Sequence, residues 1–215
     1  MKRFILALFV TLHSCAFAQS FVSFKYSQIY SNFYFRDRNG QADESLKADM
    51  RTGYGIDFKK LVHRNIYIGS ELWYKNFGPM SYLNNQKLDW NLHYLDLNLG
   101  AGYILNYRRI KPYIGASFYG AYLFKANQTI GVNYFDIIEN KSIKRMDFGF
   151  NLNGGVQYAF SDVTSVFFEV MYTRGLKNLE VDTEEKLFNT AICFRFGLTF
   201  LIEKGESNYN YIFRN

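Results

Sequence analysis

Cysteine is nearly absent from the chain, with two residues in 215, and proline and histidine are as scarce, at two and three. Cys15 belongs to an N-terminal apolar segment. Once that segment is set aside, Cys193 is alone and no internal disulfide can form. Cys193, His63 and His93 leave a zinc site of the Cys/His type close to excluded, because such a site wants three or four of these ligands. Beyond residue 18 no stretch approaches the roughly 18 consecutive apolar residues of a transmembrane helix. The net charge of +6 is modest and partly due to Lys2 and Arg3. The cations form no stripe or patch of the sort nucleic acid requires, so no nucleic-acid partner is expected.

The first residues have the form of a secretory leader. Lys2 and Arg3 give a positive start, Phe4 to Leu12 an apolar core, and Ala16-Phe17-Ala18 an A-x-A cleavage site. Residues 1–18 are therefore expected to be removed, with Gln19 as the mature start. The rival is a lipoprotein cleavage before Cys15, which His13 fits poorly. What remains is rich in rings: 18 Tyr and 22 Phe help bring aromatics to 20%. Tyr and Phe favour strands and membrane interfaces.

The dominant pattern is alternation. In 147–160, Phe148, Phe150, Leu152, Val156 and Tyr158 fall on one parity, while Gly149, Asn151, Asn153, Gly155 and Gln157 fall on the other. This period of two is that of a strand with one apolar face. It recurs in 50–60, 66–75, 91–105, 112–124, 164–173 and 188–202. Residues 21–35 are the least regular, because Gln28 interrupts the apolar parity of Phe24, Tyr26 and Tyr30. Most of these segments run to ten or more residues. Soluble strands usually have about five or six, whereas a tilted strand crossing a bilayer needs about 9–11. The connections alternate as well. Residues 36–49, 76–87, 125–146 and 175–187 are long, and 61–65, 106–109 and 161–163 are short. Outer-membrane barrels show this asymmetry, with long loops outside and short turns in the periplasm.

The expectation is an all-β, membrane-spanning, eight-stranded antiparallel up-and-down β-barrel over residues 19–202, with both termini periplasmic and residues 203–215 a periplasmic tail. A strand-built span must close, since the bilayer offers its backbone no partners. Tyr30, Tyr54, Tyr74, Trp90, Tyr103, Tyr122, Tyr158 and Phe200 are assigned to interfacial girdles. The inward parity carries Lys25, Lys59, Lys75 and Arg195 against Asp57, Glu71, Asp96 and Glu169. Balanced charge is expected in a lumen just wide enough to be filled by side chains. Cys193 reads as a small lumen filler.

Four segments resemble a known family. His93-Tyr94-Leu95-Asp96-Leu97-Asn98-Leu99, Lys111-Pro112-Tyr113-Ile114-Gly115-Ala116, Asp147-Phe148-Gly149-Phe150 with Gly154-Gly155-Val156, and Phe168 to Leu176 are similar, in order and spacing, to strands of the PorT-like outer-membrane β-barrel family. Asn98 stands where that family usually has proline, and the chain continues past Phe200. The resemblance implies a Gram-negative outer-membrane location. The name-giving member is linked to a secretion and gliding apparatus, whereas most relatives have no assigned activity.

The residues point to no catalytic set and call for no cofactor. His93 could serve a lipid-modifying enzyme, but no H-x-S pattern accompanies it and aromatic packing at the rim is favoured. Glu169 and Arg195 could gate a narrow channel, but a structural ion pair is favoured. Residues 182–186 lack the ligand spacing of a known calcium site. Tyr134, Phe135, Ile137 and Ile138 form an apolar run in the longest loop, either a partner-contact site or a strand extension above the membrane. The leading expectation is a monomeric, non-enzymatic outer-membrane protein with a structural, adhesive or envelope-assembly role. Its surroundings are outer-membrane lipid, lipopolysaccharide and an envelope protein partner. Alternatives are a secretion-apparatus component, a lipid-modifying enzyme and a narrow channel.

Overall fold

In the computed structural model, residues 19–38, 40–41, 45–83, 86–131, 133–137, 143–181 and 185–203 are described. The strands are β1 (Ser20–Arg36), β2 (Asp49–Leu61), β3 (Ile66–Phe77), β4 (Met80–Leu83), β5 (Gln86–Ile104), β6 (Ile110–Ile130), β7 (Asn133–Asp136), β8 (Met146–Ala159), β9 (Thr164–Gly175) and β10 (Lys186–Glu203). The expected leader, residues 1–18, lies outside the described residues, as does the tail beyond Glu203.

Eight strands form a closed ring, β1-β2-β3-β5-β6-β8-β9-β10, every neighbour antiparallel. Two contacts complete it: β1 pairs with β10 from Ser20↔Glu203 to Arg36↔Lys186, and β5 pairs with β6 from Leu88↔Ile130 to Ile104↔Tyr113. The ring has no free edge, so its backbone groups are bonded within the protein. Both ends of the described chain lie at one rim, beside the short turns 62–65, 105–109 and 160–163.

Two connections that read from sequence as loops are partly strand. Within 76–87, Gly78 takes a φ of 140° and turns the chain into β4, which folds back on the start of β5. Within 125–146, β6 continues to Ile130 and hairpins onto β7 through Gly131, at a φ of 58°. A non-glycine residue rarely adopts such angles. The order β4-β5-β6-β7 thus makes a four-stranded flap standing above the ring at its long-loop rim. Lys47 bridges the 37–48 segment to Met80 of β4, and Ile143 bridges to Glu180, so the long connections are laced together into a crown.

The pleat sorts the side chains. Ile56, Phe58, Leu72, Leu97, Leu99, Phe118, Leu152, Phe168, Phe196 and others of their parity are exposed on the outside of the ring. Gln28, the interruption in β1, is also outward, and its amide donates to the Arg51 carbonyl while its Oε1 accepts from Tyr26. An outward polar group is thereby satisfied inside the protein. Trp90 departs from the expected girdle: it packs on the interior cluster, 6.2 Å from the Phe33 ring. It shares the parity of buried Leu92 and Tyr94.

Phe118 is 73% exposed on the outer face of β6, level with Leu99 and Phe150 of its neighbours. Phe118→Arg should weaken folding into bilayers by about 2–4 kcal/mol, the depth-dependent penalty of a cation on the hydrocarbon face. Urea titration in lipid vesicles measures this, with Phe118→Leu close to wild type.

Candidate functional site: a filled lumen beneath a built crown

The lumen is filled because every second residue of each strand points into it. All eight charged residues assigned there from the sequence lie inside the ring. Lys25 of β1 meets Asp57 of β2 at 3.2 Å and Glu71 of β3 at 2.5 Å. Lys59 also reaches Asp57, at 3.2 Å. Lys75 meets Asp96 across the β3–β5 pair at 2.5 Å. Arg195 of β10 stands 3.1 Å from both Glu71 and Glu169. Glu71 is the shared node, held by a lysine from one side and a guanidinium from the other.

Neutral groups complete the layer. The Asn153 amide donates to Glu169, and the Asn98 amide to Glu71. Asn151 donates to Asn98 and Ser117 and accepts from Thr173, tying β5, β6, β8 and β9 together. Desolvated ions are tolerated only where such partners exist.

Sequence reasoning missed two members of this interior. Trp73 is fully buried at its centre: its indole N–H donates to Glu71 at 2.8 Å, and the Arg195 guanidinium stacks 4.2 Å from its ring. A Cβ on Gly55 of the adjacent strand would overlap the indole, so glycine there is the space the ring occupies. The signal was present, since Trp73 falls midway between inward Glu71 and Lys75. The second is Asp147, buried toward the long-loop end and held by hydrogen bonds from Tyr119 and Asn189 rather than by a cation. The parity it shares with Gly149 and Asn151 could have placed it.

Above the charged layer the interior becomes apolar. Ile29, Phe77, Leu92, Leu123, Met171 and Leu187 belong to one buried cluster that runs up into the crown. Cys193 is buried within it. Trp73, Arg195, Tyr94 and Lys75 are the largest of the fully buried side chains. The polar cavity left among Asp57, Lys59, Glu71 and Arg195 measures only about 30 Å³, room for one or two waters.

Three further sequence candidates fall elsewhere. His93 is outward, as its parity indicated, with Nδ1 2.8 Å from the Tyr74 hydroxyl and its ring near Phe124. Tyr134 and Phe135 sit on β7 and are 60% and 43% exposed, but Ile137 is a correction: it is 6% exposed and packs inside the crown. Strand alternation puts Ile137 on the same face as Phe135, turned to the crown's interior, and Tyr134 on the other. Ile138 lies outside the described residues, as do 182–184 of the acidic loop tip.

Removing one partner of the central node strands the others. Glu71→Gln should destabilise the folded barrel by about 3–5 kcal/mol, because Lys25 and Arg195 lose a shared counter-charge. Glu71→Gln combined with Lys25→Met should recover some of that loss. Denaturant titration and heat-dependent mobility on gels measure both.

The ring, its closure and its inside-out pleat have counterparts among solved structures. Over 84% of this chain and 96% of the other, the fold is similar to Neisserial surface protein A, at 12% identity and a TM-score of 0.52. Over 86% and 96% it is similar to the outer membrane protein OprG from Pseudomonas aeruginosa, at 13% identity and a TM-score of 0.60. Such low identities speak for the fold alone. No curated protein matches the chain. The family model described as "Outer membrane protein beta-barrel domain" matches residues 4–200, nearly the whole of the ring described above, and the chain therefore belongs to the outer membrane protein beta-barrel domain family.

Proposed function

We propose that this outer-membrane barrel is a non-enzymatic surface scaffold that presents its crown to a partner of the cell envelope. The observation that carries the reading is the division of the interior. Trp73, Arg195, Lys75 and Tyr94 occupy the passage, so transport through the ring is not what its interior is arranged for. The chain's elaboration lies at the long-loop rim, where a laced four-stranded flap leaves Tyr134 exposed on its outer face and Phe135 part-exposed at the edge of the crown's interior. Exposed aromatics on an ordered element are the usual mark of a protein-contact site. On this reading the leader is removed, the termini and short turns face the periplasm, and the crown faces outward.

A group of cations at the long-loop rim supports the same orientation. Arg36 and Lys186 stand directly opposite in the β1–β10 ladder at the long-loop rim. Arg174 of β9 stacks 4.4 Å from the Tyr34 ring, and Arg36 lies 5.2 Å from the same ring. Like charges opposed across strands repel, and an anion between them relieves that. The phosphates of lipopolysaccharide are anions of the right kind at the right height. Replacing Arg36, Arg174 and Lys186 with Gln should lower the amount of phosphorylated lipopolysaccharide that copurifies, as measured by mass spectrometry, and leave folding intact.

A second reading has its own support. The four segments similar to PorT-like barrels fall on β5, β6, β8 and β9, so a place in a secretion apparatus is the more specific form of an envelope-assembly role. Gene deletion separates the two. Loss of exported proteins from the medium supports the secretion form, and an altered surface or envelope with export intact supports the general one. In either case wild type should restore the phenotype and Tyr134→Ser/Phe135→Ser should not. Open conductance steps in planar bilayers, or a lipid A profile changed by deletion and by His93→Ala, would overturn the scaffold reading.

A further inference from the structure

The crown encloses a half-open cavity of about 290 Å³. Small-molecule pockets run from roughly 300 to 1,000 Å³, so this one stands at the small end of that range. Its walls come from separate stretches of the chain. Phe33 and Phe35 enter from β1, Trp90 from β5, Phe135 from β7, Ile137 from just beyond it, and Leu187 from β10. Two polar residues join them: Gln128 of β6 and Glu180 of the β9–β10 connection. Beneath it lies the apolar cluster of Ile29, Leu92 and Leu123, which separates the cavity from the charged lumen.

We infer that this cavity is a binding site for a small uncharged amphiphile: a medium-chain alkyl or single-ring body with one hydroxyl or amide head. The inference does not depend on the scaffold role proposed above. Three features select that class. Aromatic and branched aliphatic walls favour an apolar body, whose surface leaves water on binding. The Gln128 amide can give and take one hydrogen bond with a neutral head. Among the described residues that line it none is a cation, so a carboxylate or phosphate head would lose its water there without gaining a counter-charge. The ring walls and the size admit a small molecule and exclude a helix or a folded partner.

The protein carries its own reporter. Its two tryptophans are Trp73, sealed in the lumen, and Trp90, on the cavity wall. In nanodiscs of phosphatidylcholine, a medium-chain alcohol tagged with bromine at its tail should quench a fraction of the emission saturably. That fraction should vanish in Trp90→Phe. The bromine-tagged carboxylate of equal length should bind about tenfold more weakly, equivalent to about 1.4 kcal/mol. Leu187→Phe and Ile137→Phe, which fill the cavity from two sides, should each abolish the saturable phase while heat-dependent gel mobility reports a folded barrel. Either variant suffices if the other fails to fold. Quenching that is linear in probe, persists in Trp90→Phe or survives cavity filling would overturn the inference. Equal binding of alcohol and carboxylate would overturn its assignment to an uncharged head.

Discussion

The bilayer offers no hydrogen bond to a strand's backbone, and every other feature of this protein follows from meeting that constraint by closure. β1 pairs along its full length with β10, leaving no edge on the ring. Once closed, the pleat leaves each side chain one of two environments. Outward residues must suit hydrocarbon, which accounts for the aromatic and branched aliphatic surface. Inward residues must fill a narrow cylinder and give each buried charge a counter-charge or a hydrogen-bond partner.

The interior solves the second task in layers. Near the middle, ions from β1, β2, β3, β9 and β10 are paired around Glu71 and packed against Trp73. Toward the long-loop rim the charges give way to Ile29, Leu92, Leu123 and Met171, an ordinary apolar core inside a membrane barrel. Asp147 lies among the tyrosine and asparagine side chains near this transition, held by two neutral donors. Swapping these layers would place apolar groups against the polar mouth and ions beneath the crown, so the order of residues along each strand matters as much as its parity.

The ring is legible in the sequence because a period of two is a direct imprint of the pleat, and the eight lumen charges follow from parity alone. What the sequence conceals has specific causes. Trp90 suits a girdle because tryptophan favours interfaces, yet its register with Leu92 and Tyr94 turns it inward. Trp73 is hidden because so large a ring exceeds the room of an ordinary small lumen. The extra room comes from Gly55 on the neighbouring strand, and that pairing is visible only once β2 and β3 are in register. The β4–β5 hairpin hides inside a polar connection, where a turn residue such as Gly78 looks like loop, whereas β7 is the strand extension that the apolar run at Tyr134 and Phe135 offered as one of its two readings. Ile137 is expected outside because an apolar run in a loop gives no hint of which member a hairpin will bury.

The crown is not hung on the ring by loops. β5 and β6 run from the short-turn rim into the flap as continuous strands of 19 and 21 residues, their ladder shifting register once, between His93 and Tyr94. Their ladder bonds lie across the strand direction. A pull along the strands therefore loads the whole ladder in shear, sharing the force over many bonds at once, where a hinge or loop would let them break singly. An object gripping the flap would transmit tension straight into the wall of the barrel, and the membrane around it would bear the load.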